Sequence, residues 1–189
     1  MAITRLTAPS ITGLTIPNTS INNASLNSVS ALPSGIDTGK VIQHTTSQGS
    51  SSGSSQSTSY VATGIKHSIT PTSSSNKILV LFNFNVWSQG HTGSYYWIKS
   101  DAKIVRSITG GSSADLFSDK RVMSGSGAQV PTYTYGHVSA QVSLNYLDSP
   151  NTTAATEYEV YLKLTELQST NGTHYWDGQK NVTLMELVP

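Results

Sequence analysis

The sequence predicts an all-β protein, an antiparallel β-sandwich entered through an extended N-terminal arm, and three observations lead there. The clearest lies between Tyr146 and Thr165, where the turn cluster Asp148-Ser149-Pro150-Asn151 precedes a run of near-unbroken alternation. Tyr158, Val160, Leu162 and Leu164 fall on one side, and Glu157, Glu159, Tyr161, Lys163 and Thr165 on the other. A strand with one dry face and one wet face is the unit of an antiparallel sandwich. Second, segments of this kind recur along the chain between Gly-, Pro-, Ser- and Asn-rich turns, with almost no helical periodicity. Third, Ser and Thr fill roughly two positions in seven, and hydroxyl side chains suit strands and turns better than helix interiors. A closed barrel is the alternative closure of the same pattern.

Residues 1–36 stand apart from the rest. Their one charged side chain is Arg5, and the first acid is Asp37. Ile11, Ile16, Ile21 and Leu26 recur every five residues in LTIPN-TSINN-ASLNS, a spacing that belongs to neither helix nor strand. Three such copies are too few to bury a solenoid core, because stacked neighbours supply that core. The segment therefore reads either as a polar tail or, the reading preferred here, as an extended arm. Its apolar residues Ile3, Leu6, Ile11, Leu14, Ile16, Ile21 and Leu26 would then plug into a partner or into sister copies. Residues 37–189 form the expected sandwich domain.

After the Leu32-Pro33-Ser34-Gly35 hinge, Lys40–Thr46 is the first strand candidate, followed by a Ser/Gly-rich stretch, SQGSSSGSSQSTS, expected as an exposed loop. Ser57–Thr63 and Ile65–Thr70 read as two short strands around Gly64, with a turn at Pro71–Ser75. Asn76–Trp87 is the most apolar element. Ile78, Val80, Phe82, Phe84 and Val86 share one face, and Leu79 and Leu81 on the other place the strand centrally in its sheet. Ser94–Lys99 and Ala102–Ser107 flank Ser100-Asp101 as a hairpin candidate. A Gly/Ser-rich segment from Gly110 to Val130 holds a short strand near Asp119–Met123. Gly136–Leu147 alternates with Val138, Ala140, Val142, Leu144 and Tyr146 inward, and Asn181–Val188 closes the chain.

Composition excludes several function classes. The formal net charge is +1 with no basic run, whereas phosphate backbones call for clustered Lys and Arg; no nucleic-acid partner is expected. The 189 residues contain no cysteine, so disulfides, zinc–thiolate sites and thiol nucleophiles are excluded. MAITRLTAPS lacks the apolar core of a signal peptide, and no window approaches a membrane-spanning length.

Catalytic patterns are not found either. His44, His67, His91, His137 and His174 are scattered without metal-ligand spacing, no G-x-S-x-G elbow occurs, and the Gly pairs lack the lysine of a phosphate loop. Glu157 and Glu159 lie side by side on one strand face rather than opposed across a substrate. No enzyme, metal or cofactor is expected. The aromatic residues are the candidates for binding. Tyr175, Trp176 and Asp177, between Asn171-Gly172 and Gly178, could stack on and hydrogen-bond a glycan, or Trp176 could pack over the sandwich end or a subunit seam.

The opening GKVIQ after a polar arm, the stretch TSYVATGIKHSITPTSSSNKILVLFNFNV, the later YLDSPNTTAATEYEVYLKL and the terminal NVTLMELV together resemble a family of small phage virion proteins. The resemblance covers roughly residues 39–188. It implies a jelly-roll-like, trimeric sandwich attached to the particle surface through its arm, with itself and capsid or tail proteins as partners. Two functions are expected from it: a capsid decoration or head-fibre protein, or a tail-fibre tip binding a host surface glycan. The wet face bearing Glu157, Glu159, Tyr161 and Lys163 is the expected contact with a sister subunit.

Overall fold

The computed structural model describes residues 40–90, 96–127, 136–167 and 173–188. The arm residues Ile3, Leu6, Ile11, Leu14, Ile16, Ile21 and Leu26 lie outside them. The described chain forms β1 (Val41–Ser50), β2 (Gly53–Ser55), β3 (Val61–Ile69), β4 (Lys77–Gly90), β5 (Tyr96–Ile108), β6 (Ser113–Gly127), β7 (Gly136–Asp148), β8 (Thr156–Leu167) and β9 (Thr173–Leu187). One sheet runs β1-β9-β4-β7, with the short β2 laid alongside β9, and the other runs β3-β8-β5-β6.

The pairings are antiparallel and nested. β1 pairs with β9, β3 with β8, β4 with β7 and β5 with β6. The chain is one long hairpin whose successive pairs alternate between sheets, rolled so that β9 meets β4 and β8 meets β5. This is the eight-stranded jelly roll, and the expected antiparallel sandwich is the observed fold. The alternation sets what each sheet puts inside. Ile78, Val80, Phe82, Phe84 and Val86 of β4, Val142 and Leu144 of β7, and Val182 and Leu184 of β9 form one inner face. Ile65 and Ile69 of β3, Ala102 and Ile104 of β5, and Tyr158, Val160, Leu162 and Leu164 of β8 form the other. Each such side chain contributes about 1.5–3 kcal/mol of burial, Ala102 less.

Buried polar groups tie the sheets and loops at fixed points. Asp148, at the end of β7, accepts two hydrogen bonds from Arg106 Nη1 (2.9 and 3.1 Å) and one from the Tyr158 hydroxyl (2.8 Å), joining both sheets. Burial, then the Asp148 charge, raises the Tyr158 pKa well above its ordinary value. Glu186 is fully buried and accepts from the Thr72 amide (2.7 Å), the Thr72 hydroxyl (2.9 Å) and Asn76 Nδ2 (2.7 Å). Burial alone would raise its pKa, but the hydrogen bonds from Asn76 and Thr72 outweigh it and hold the carboxyl below the usual range.

Several expected elements are corrected. Ser100-Asp101 is not a turn: β5 is one strand of 13 residues, and the polar pair sits inside it at a register shift. The two short strands around Gly64 are one strand, β3, irregular between Ala62 and Lys66, with Gly64 at φ 71°. The Ser/Gly-rich stretch is not wholly loop, since β1 continues to Ser50 and β2 lies within it. β6 is 15 residues long instead of a short strand, and β9 begins at Thr173, eight residues before the expected Asn181.

Candidate functional site

The outer face of the β3-β8-β5-β6 sheet gathers much of the charge of this sparsely charged chain. Register places Lys103 opposite Tyr161, Asp101 opposite Lys163, and Lys66 opposite Glu159. Between Phe117 and Lys120, β6 bulges: Ser118 and Asp119 are set against the single residue Lys103, and Asp119 adopts φ 57°. Tyr60, just before β3, lies across this face as a crossbar. Its hydroxyl donates to Asp119 Oδ1 (3.1 Å) and accepts from the Asp119 amide (2.7 Å), fixing the left-handed residue. Lys163 pairs with the Asp119 carboxylate. The ammonium groups of Lys163 and Lys103 sit 4.5 and 4.9 Å from the Tyr60 ring centroid, and Lys103 is 5.4 Å from that of Tyr161.

The electrostatics follow from those contacts. Hydrogen bonds from Lys163, then Tyr60, hold the Asp119 carboxyl below its ordinary pKa, and the same Asp119 bond raises that of Lys163. Partial burial raises the Tyr60 hydroxyl. Lys103 also pairs with Asp115 (2.9 Å), Lys66 with Glu157 (3.2 Å) and Arg121 with Asp101. Glu159 accepts from the Gly64 amide at 3.0 Å. The expected subunit contact of Glu157, Glu159, Tyr161 and Lys163 is thus engaged by its own cross-strand neighbours. Beside the bulge a groove of about 410 Å³ separates β6 from β7, walled by Phe117, Ser118, Asp119, Lys120, Ser143, Leu144 and Asn145.

The outer face of the β1-β9-β4-β7 sheet has the opposite character. Cross-strand rows read Val41–Leu187–Lys77, then His44–Met185–Leu79–Leu147, then Thr46–Thr183–Leu81–Asn145, then Gln48–Asn181–Asn83–Ser143. One end is apolar and the middle is an amide ladder. At the far end Trp87 and Tyr175 stack, ring centroids 3.9 Å apart at an interplanar angle of 6°.

The glycan candidates Tyr175, Trp176 and Asp177 do not form one surface. They follow one another on β9, so alternation sends Tyr175 outward and Trp176 inward. Trp176 is 5 % exposed and belongs to the core; its Nε1 donates to the Thr63 carbonyl at 2.9 Å. Asp177 pairs in register with Asn85. The aromatic neighbour of Tyr175 is Trp87, 88 positions earlier in the sequence, which the sequence reading did not single out. Its outward position follows from the alternation of β4, but the pairing with Tyr175 arises only from the β4–β9 register. His174 is a core residue. It is 2 % exposed, hydrogen-bonded through Nδ1 to the Ser100 hydroxyl, and its Nε2 has no partner. Burial pushes its pKa down to about 4. Among the described residues, no three His, Asp or Glu side chains gather as a metal-binding group would require.

No protein-family model matches the chain, and no curated protein sequence does. Among solved structures the chain is similar to the VP2 subviral particle of infectious bursal disease virus, with a TM-score of 0.40 and 13 % identity, over 78 % of this chain and 38 % of that one. It is similar also to the Gt strain of the same virus, with a TM-score of 0.36 and 11 % identity, over 76 % of this chain and 33 % of that one. The chain therefore spans less than two-fifths of the length of these proteins, and the likeness is a distant one.

Proposed function

We propose that the chain is a structural protein of a virus particle, of the capsid-decoration or head-fibre type. Residues 1–36 attach it to the shell, and residues 37–189 project from the particle surface as a homotrimeric jelly roll. The observation that carries the reading is the division of labour within the chain. A jelly roll, an architecture shared by viral capsid and lectin domains, here has its charges closed upon one another on one sheet and, on the other, a face with one apolar end. It is preceded by a nearly uncharged segment with an aliphatic residue every five positions. Attachment is then coupled folding and binding, in which each aliphatic anchor adds apolar contact as the arm orders on the shell. Three arms in one trimer bind more tightly than one could. The reading assigns the chain no catalytic step. Deleting residues 2–32 is expected to leave a folded protein that no longer co-sediments with particles lacking it; retention of binding by the truncated chain would refute the arm.

A second reading, a receptor-binding tip, is favoured by one observation, the stacked Trp87–Tyr175 pair beside Asn83, Asn85 and Gln141 on an open sheet face. Flat rings with flanking amides suit a neutral glycan. A glycan array probed with the wild type and with Trp87→Ala decides it: binding lost on substitution supports the tip, and no binding by either protein removes it.

A further inference from the structure

We infer that the outer face of the β1-β9-β4-β7 sheet is the surface on which a second copy of this chain docks, with its apolar end as the centre of the interface. The inference takes from the proposed function only that the chain self-associates, and it holds or fails in solution without any particle. Among the described residues the exposed large hydrophobic side chains are Val41 (48 %), Ile42 (39 %), Leu147 (48 %) and Val188 (37 %). They are not scattered. Val41 is in register with Leu187, Leu147 with Leu79 and through it Met185, and the Val188 amide bonds to the Lys40 carbonyl. Register thus places Val41 and Leu147 on the outer face at one end of this sheet, with Ile42 and Val188 at the same end. Singly exposed aliphatics need no explanation, but a contiguous patch from edge strand to edge strand does.

Charge and size identify the occupant. Among the described side chains on this face Lys77 alone is charged, at the apolar rim. Copies packed about a shared axis, as in the proposed trimer, therefore bring no like charges together on this face beyond that rim. Four strands about 4.8 Å apart, with β4 of 14 residues at about 3.3 Å each, give a face of roughly 19 by 46 Å, about 870 Å². A stable interface takes about 800 Å² from each partner. The face also has the elements of one: an apolar region bordered on its inner side by the Asn83, Asn145 and Asn181 amides. The opposite face, which the sequence favoured, has its charged groups already joined across strands.

The test uses the full-length chain in sedimentation. The wild type is expected to be oligomeric at micromolar concentration. Val41→Lys with Leu147→Lys, both at half-exposed positions that leave the core intact, should weaken association by at least about a hundredfold. Val105→Lys, on the opposite face, should not. A monomeric wild type, or dissociation by Val105→Lys but not by the paired substitution, overturns the proposal. Because the chain has no cysteine, Leu147→Cys supplies one thiol for a second reading. Maleimide labelling that slows as protein concentration rises supports a second copy. Protection independent of concentration would mean that the chain covers its own face, and full reactivity at every concentration would mean that nothing covers it; either result overturns the proposal.

Discussion

An imidazole buried without a counter-charge couples stability to pH, and His174 is such a group. Its environment is Ser100, Trp176 at a tilted 6.3 Å between ring centroids, and a small void bordered by Ser55, Leu162, Lys163 and Leu164. Lys163 borders that void, but its ammonium lies on the outer face of the sheet, paired with Asp119. The folded pKa of about 4 lies below the unfolded value of about 6.5. The unfolded chain therefore binds a proton that the folded chain refuses, and stability falls as pH drops from about 6.5 towards 4. Urea unfolding at pH 5 should give a stability about 2 kcal/mol below that at pH 7. His174→Asn, which retains a polar group for Ser100, should flatten that slope. Carboxylates with depressed pKa values, such as Glu186 and Asp119, lose their contribution only below about pH 4.5, outside the comparison between pH 5 and pH 7. An equal slope in the variant would show that another group titrates. The residue was visible in the sequence, but its burial was not: Thr173 to Trp176 reads locally as a turn-flanked aromatic cluster, and only pairing with β4 makes it a strand.

At the scale of elements, the strands that alternate without interruption, β4, β7, β8 and the second half of β9, were legible because hydrophobic periodicity is a local signal. β5 was misread at Ser100-Asp101. A polar pair inside a strand is tolerated because Ser100 finds His174 and Asp101 finds Arg121, partners 74 and 20 positions away. β2 was hidden in a Ser/Gly-rich stretch for a related reason. Its Gly53 is there for what lies beneath it, since a Cβ at that position would fall within the Trp176 indole. Gly53→Ala should therefore cost about 1–3 kcal/mol as β2 or the indole shifts. Gly49→Ala on β1, where the nearest neighbour of a new Cβ is Lys180 Cε at 4.0 Å, should leave stability within about 0.5 kcal/mol. Urea midpoints compare the two, and equal losses would mean that β2 does not bear on Trp176. The binding candidates were least legible of all, because Tyr175 acquires Trp87 as its neighbour through register and not through sequence proximity.

For the whole molecule, the nested topology makes the two ends of the described chain unequal. β1 and β9 form the outermost pair, yet β1 is an edge strand, whereas β9 lies between β1 and β4. The residues β1 turns inward, Gln43, Thr45 and Ser47, are polar and only half buried. β9 supplies Val182, Leu184 and Glu186, all fully buried, and bonds to strands on both sides. Removing β1 takes away one ladder and little core; removing the end of β9 opens the core, frees the Thr72–Asn76 turn from Glu186 and splits β1 from β4. A chain lacking residues 1–50 should therefore still melt cooperatively, at a lower temperature, with near-ultraviolet circular dichroism showing fixed aromatic packing. A chain lacking residues 181–189 should show neither signal, because small sandwiches fold as one cooperative unit and have no smaller core to fall back upon. Cooperative melting of both truncations would place the stability of this jelly roll elsewhere than in its central β9. Loss of folding in the first would give β1 a part in the core that its Gln, Thr and Ser side chains do not suggest.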